Sequence, residues 1–322
     1  MASRLLFAVA VLGASVANAE PLVGPGVGSA DTLVSEASKL FNRKQYQKAA
    51  DLFLKATRAD PSQVNTYLQL ARAQTLARQL QPGCYAYRVY LKSVPDSPDR
   101  KKAVAESDQC ERQLKSLKKP PPDPGPRYVE TRAAFFAALD ENRIVGAGGA
   151  AESFTALVKE GFLGPELGEM AQKLGAAASS AAELVHKRAL SGEKLPPETL
   201  RNARPLFQLA QDVGAPVTDA KGRMAFLDGI ADLHEKAYKK AEAHFTDAAR
   251  ADPSNKEYVF YKGLALFQAG ERPQALKVLE TELKDDPRTA VLRVAISLSQ
   301  SPDSGAAELE KLLFTARFPK EK

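Results

Sequence analysis

Small, large and helix-ending positions recur along the chain at a fixed spacing. Counted from Gly222 in a 34-residue frame, Gly229, Ala241, Phe245, Ala248 and Pro253 stand at positions 8, 20, 24, 27 and 32. A second copy, from Lys256, puts Gly263, Ala275, Leu279, Glu282 and Pro287 at the same places. The cleanest copy begins at Ala30, with Ala37, Ala49, Phe53, Ala56 and Pro61, and a more worn one follows from Val64, where Tyr90 replaces the small residue at position 27. The spacing is helical, and no stretch alternates β-branched and polar residues long enough to argue for a sheet. Small residues at positions 8 and 20 let two helices approach to about 8–10 Å. Position 24 fills the remaining gap, and burying a Phe there is worth roughly 1.5–3 kcal/mol. The Pro at position 32 stops the second helix, because the residue before a proline is pushed out of helical angles. One such hairpin leaves an apolar face uncovered, so it needs neighbours.

The 34-residue period with small–small–aromatic–small–Pro offsets resembles the tetratricopeptide repeat family. That resemblance implies an all-α solenoid, a right-handed superhelix of helical hairpins in two arrays. It further implies a groove lined from the first helices, at positions 2, 5, 9, 12 and 13. In the C-terminal array these positions include Phe226, Ile230, Leu233, Phe260, Leu264 and Phe267. In the N-terminal array they include Val34, Ser38, Phe41, Asn42, Leu68, Arg72 and Thr75. Val34 and Ser38 stand where a carboxylate clamp needs Lys and Asn, so the family's clamp for a chain terminus is not expected. The C-terminal positions are apolar and suit an amphipathic helix or hydrophobic peptide. Asp228 and Lys262 at position 7 and Asp232 at position 11 depart from the pattern, which leaves the reading open. Either the groove is open, or a helix from the middle of the chain fills it, or the first helix is turned so that Phe226 and Ile230 enter the core.

Residues 1–19 read as a secretory signal peptide: Arg4, an apolar run from Leu5 to Leu12, then Ala17-Asn18-Ala19 before Glu20. Residues 20–29 read as a flexible lead-in, 30–117 as the N-terminal array, and 118–127 as a Pro-rich linker, extended and stiff or packed along the solenoid. Residues 128–221 read as a helical middle, either degenerate repeats or an inserted bundle, with helices from Pro165 to Leu190 and from Pro197 to Val213. Pro205 should kink or split the second. Residues 222–318 read as the C-terminal array, closed by helices over Ala290–Leu298 and Gly305–Phe314.

Charge and chemistry change this picture little. The net charge is +6, or 44 − 39 = +5 without Arg4, which is mainly a statement about solubility. The two cysteines of an exported chain suggest a bridge between Cys84 and Cys110, which fall at the same end of adjacent helices; separate buried thiols are the alternative. Gly146-Ala147-Gly148-Gly149 lacks the Lys and Ser/Thr of a nucleotide loop and reads as an interhelix turn. His186, His234 and His244 lack metal-site spacing, so no catalytic set, cofactor or metal is expected. The chain reads as a non-enzymatic periplasmic adaptor of a Gram-negative cell envelope that binds envelope proteins, with no nucleic acid and no membrane anchor. An assembly factor for outer-membrane or secreted proteins, and an envelope enzyme or accessory domain acting on cell-wall polymer, are the other readings.

Overall fold

The computed structural model describes residues 29–283 and 286–300. The leader, most of the lead-in and the Gly305–Phe314 helix lie outside the described residues. Within them the chain is all helix, with no strand: α1 (Ala30–Asn42), α2 (Tyr46–Ala59), α3 (Val64–Leu76), α4 (Leu80–Ser93), α5 (Arg100–Lys115), α6 (Gly125–Asp140) and α7 (Ala150–Lys159). Then come α8 (Glu166–Leu190), α9 (Pro197–Asp212), α10 (Ala220–His234), α11 (Tyr238–Ala251), α12 (Lys256–Gln268), α13 (Arg272–Glu282) and α14 (Pro287–Gln300). The packing divides into two units, residues 1–180 with 208–216, and residues 181–207 with 217–322.

Within each unit consecutive helices pair as hairpins, and the frame positions carry the contacts. Ala37, Ala49 and Phe53 are all fully buried, as are Ala138, Ala150 and Phe154 in the α6–α7 hairpin. Gly229 and Gly263 mark the closest approaches. A Cβ placed on Gly229 would lie 2.7 Å from Phe245 Cε1, and one on Gly263 2.9 Å from Leu279 Cδ2. Position 8 is therefore small because position 24 of the partner helix occupies its space. The hairpins are of tetratricopeptide type on this geometry.

The turns repeat as faithfully as the core. Position 15 holds Lys44, Arg78, Lys236 and Gly270, all with positive φ between 60° and 83°. In each case the residue's N–H bonds the carbonyl three back, and the next N–H bonds the carbonyl five back, as in Lys236 to Leu233 and Ala237 to Asp232. This pair of bonds closes the first helix in a Schellman motif. The Gly146–Gly149 stretch is likewise a turn, with Gly146 and Gly148 at positive φ.

Elements one repeat apart are also linked by ion pairs. Arg72 reaches Glu106 at 2.8 Å and Arg132 reaches Glu166 at 3.0 Å. Arg201 Nη2 meets Glu235 Oε2 at 2.9 Å.

Two expectations change. The Pro-rich stretch 118–127 runs inside the first unit and is tied to α4, which is the packed alternative rather than a free linker. Gln81 donates to the Pro122 carbonyl at 2.5 Å, and Arg88 holds Asp123 with contacts of 3.1 and 3.3 Å. Asp123 also accepts from the Gly125 N–H that opens α6, and the Arg88 bond holds its carboxyl below the ordinary range. The other change is Pro205, which sits inside α9 without splitting it. Its ring faces solvent, while Leu200, Ala203 and Phe207 anchor the buried side of the helix on either side of it.

The cysteines form a disulfide between α4 and α5, with Cα atoms 5.6 Å apart and a separation of 26 residues. Both are fully buried.

Candidate functional site

In each unit a cleft contains residues that the repeat frame assigns to a groove. In the first unit a cleft of about 580 Å³ is lined by Phe41, Arg72 and Thr75, joined by Leu76, Arg78, Tyr87, Lys102 and Glu106. Phe41 is held edge-on to Tyr46, with ring centroids 5.3 Å apart. The Glu106 carboxylate accepts from Arg72 and from the Tyr87 hydroxyl at 3.3 Å, which fixes one wall. Burial pushes the Tyr87 hydroxyl well above its ordinary pKa, so it stays a neutral donor. Leu76 is half exposed beside it, and the disulfide's Cys110 forms part of the floor. Arg78 and Lys102 make no ion pair with a described residue.

The other groove positions of that array fall elsewhere. Leu68 is buried in the core formed with Tyr67, Leu70 and Ala71, so its assignment to a groove is corrected. Val34 packs partly against the same core, Ser38 donates to the Val34 carbonyl at 2.7 Å, and Asn42 is exposed.

In the second unit Phe226 does not face an open groove, and that assignment is corrected too. It is fully buried, and the C-terminal part of α8 supplies the cover: His186 stands edge-on to Phe226 with centroids 5.6 Å apart and shares a 3.1 Å hydrogen bond with the Tyr258 hydroxyl. Phe245 and Tyr261 complete the cluster. Ile230 is nearly buried at its edge. The alternative in which a middle helix fills the groove is therefore the one realised at Phe226.

The aspartates explain why α10 tolerates a polar packing face. Asp228 pairs with Arg204 of α9. Asp232 takes Arg201 Nη2 at 3.0 Å on one oxygen and faces His244 Nδ1 at 3.0 Å on the other. Burial pushes the Asp228 carboxyl up, and Arg204 opposes that shift. These are structural pairs that bind α9 and α11 to α10.

Beyond this plug a cleft of about 470 Å³ stays open, floored by Ile230, Leu233, Tyr261 and Leu264. Its rim comes from two interhelix turns, with Glu193 and Lys194 from one and Lys236 from the other; His234, Tyr238 at the start of α11, and Gln268 complete it. Phe260, Leu264 and Phe267 are half-buried and pack against the cluster of α12, α13 and α14, with the Arg288 guanidinium 4.5 Å from the Phe260 ring centre. Of the six expected residues, Ile230, Leu233 and Leu264 thus share the cleft, while Phe260 and Phe267 are not among its lining residues.

Sequence reasoning missed part of both clefts. Leu76 stands at position 13, a groove position, and follows from the same rule. Tyr261 and the turn cations Arg78 and Lys236 lie at positions 6 and 15, which that rule does not include. Among the described residues no three of His, Cys, Asp and Glu gather as a metal site, and no helix is long and apolar enough to cross a membrane.

No protein-family profile matches the chain, and no curated protein does. Among solved structures it is similar to a tetratricopeptide repeat protein from Parabacteroides merdae ATCC 43184, at 15% identity over 90% of this chain and 94% of that one, with a TM-score of 0.29. It is also similar to the TPR2AB-domain:pHSP90 complex of yeast Sti1, at 14% identity over 87% and 97% of the two chains, with a TM-score of 0.26. At such TM-scores the repeat assignment stands on the hairpin geometry described above.

Proposed function

We propose that the protein is a non-enzymatic interaction scaffold that holds segments of partner proteins in its two clefts. The observation that carries this reading is the pairing, in each unit, of an apolar floor with cations left without carboxylate partners among the described residues. In the first unit these are Phe41 and Leu76 beside Arg78 and Lys102; in the second, Leu233 and Leu264 beside Lys194 and Lys236. Such a mixture suits a peptide that presents both apolar and polar side chains.

We further propose that it works in the cell envelope, in the periplasm of a Gram-negative bacterium, with envelope proteins as partners. The leader-like Arg4–Ala19 stretch supports export, and the Cys84–Cys110 disulfide suits an oxidising compartment. Crosslinking in the native host followed by mass spectrometry tests both parts. The reading requires defined partners whose crosslinks map to the clefts and are lost in Leu76→Asp or Leu233→Asp variants that melt as the parent does. Crosslinks confined to surfaces away from both clefts would sink it, and recovery of the chain in the cytoplasm with Met1–Ala19 attached would sink the compartment.

A further inference from the structure

We infer that the cleft of the second unit is a receptor for an acidic, amphipathic peptide segment, read by Lys194, Lys236 and Lys239. This deepens the scaffold reading and rests on it.

The first support is an unbalanced rim. The carboxylates at this edge are already engaged. Glu193 is held by Arg188 Nε at 2.7 Å, and Glu235 by Arg201. Lys194, Lys236 and Lys239 make no ion pair with a described residue, and Lys240, beside them, acts only at a distance on Glu235. Lys236 and Lys239 also border a second hollow that continues the cleft past Tyr238 to Gln268. The result is a positive edge around an apolar floor, on which the one lining carboxylate, Glu193, is already paired.

The second support is where the cation is mounted. Lys236 has φ 60°, in the left-handed region that glycine occupies without penalty. Gly270 does occupy the equivalent turn position in the next hairpin, with the same pair of closing hydrogen bonds. The turn therefore needs no side chain at position 15, and a lysine stands there against the backbone preference. Gly270 shows that the turn closes without a side chain there, and the Lys236 side chain lines the cleft. Cations also stand at this turn position as Lys44 and Arg78, and Lys236 is the one of them that lines this cleft.

A peptide fits better than a charged surface. The apolar floor of Leu233, Tyr261 and Leu264 is recessed in a cleft framed by two turns and α12, which admits one or two side chains but not a planar array of headgroups. Lys194 and Lys236 come from the turns between helices and Lys239 from the first turn of α11, none from the inner face of the first helices, so the recognition differs from capture of a chain terminus. A peptide with Leu or Phe on one face and Asp or Glu on the other satisfies floor and rim together.

Fluorescence anisotropy on the full chain tests this, with a short fluorescein-labelled peptide of Glu and Asp bearing Leu and Phe at helical spacing. Its partners are a Lys-for-Glu counterpart and vesicles of phosphatidylglycerol. The acidic peptide should bind at least about tenfold more tightly than the basic one and weaken as salt rises. Lys236→Gly is the decisive variant, because it relieves the left-handed φ and should melt at or above the parent's midpoint while losing affinity about fivefold or more. Lys236→Glu with Lys239→Glu should abolish binding. Equal binding of both peptides, an unchanged affinity in Lys236→Gly, or binding of vesicles without the peptide would each overturn the inference. The broader scaffold reading is separately monitored by crosslinks at the Phe41–Leu76 cleft, which these variants leave intact.

Discussion

The ring of Phe245 occupies the place where a side chain on Gly229 would begin, 2.7 Å from the position of a Cβ. The ring cannot swing aside, because Phe226 and Tyr261 hold it with centroids 5.7 and 5.5 Å away. Alanine normally gains up to about 1 kcal/mol over glycine inside a helix. Here overpacking of about 1–3 kcal/mol opposes that gain. Gly229→Ala should therefore lower stability, and Phe245→Ala should lower it by about 3–5 kcal/mol. Urea unfolding followed by circular dichroism measures both; a stabilised Gly229→Ala would show that the hairpin relaxes freely.

The Arg204–Asp228 pair offers a double-mutant cycle. Arg204 is more than half exposed while Asp228 is largely covered, so solvent screens the pair and its loss should be modest. Arg204→Ala should destabilise by about 1 kcal/mol, leaving Asp228 near Asp232 with one cation fewer. Arg204→Met with Asp228→Leu should recover that loss, since an apolar pair can replace a covered ion pair without penalty. A double variant as unstable as the sum of the singles would show that Asp228 has a role beyond this pairing.

His186 makes the second unit sensitive to acid. It is 4% exposed, lies against Phe226 and hydrogen-bonds Tyr258, and burial pulls its pKa down to about 4. The unfolded chain takes up the proton near the ordinary value of about 6.5. Stability is therefore full above that pH, falls as the pH drops toward 4, and is level below it with respect to this group. The loss amounts to at most about 3 kcal/mol. Melting of the parent and of His186→Gln between these limits tests it: the variant should flatten the dependence, and an unchanged slope would assign it to other groups.

Reducing the Cys84–Cys110 bridge should cost about 3 kcal/mol from the loop it closes. Both sulfurs are buried, so reduction should be slow until α5 opens from α4. Hydrogen exchange should then rise first along Arg100–Lys115. Uniform exchange across the first unit would mean that the bridge stabilises no particular helix.

Much of the fold is legible because the repeat writes its contacts locally. Gly229 with Phe245, or Ala37 with Phe53, lie sixteen residues apart in one hairpin, and the small-to-large match is visible in the letters alone. The cysteine pairing is legible for a similar reason, since adjacent antiparallel helices bring both ends together. What escapes is long-range cover. Nothing near Phe226 reveals that His186, forty residues earlier, will close over it, nor that Arg201 and Arg204 will meet Asp232 and Asp228. The site was half legible for the same reason. Leu233, Leu264, Phe41 and Thr75 follow from a periodic rule, whereas Lys194 enters from the α8–α9 turn and Lys236 from position 15, which that groove rule does not include.

The Pro-rich stretch, finally, bears on how the chain can be divided. Gln81, Arg88 and the first turn of α6 all grip residues 122–125, and Pro121 lines one cleft together with Leu80, Pro82, Leu114 and Leu117. Cutting there would not release two finished halves. An N-terminal fragment ending at Leu117 would leave Arg88 with Glu111 but without Asp123, and would bare apolar surface around Leu80, Leu114 and Leu117, so it should self-associate. The seam that looks most like a hinge in the letters is, in the folded chain, a buckle.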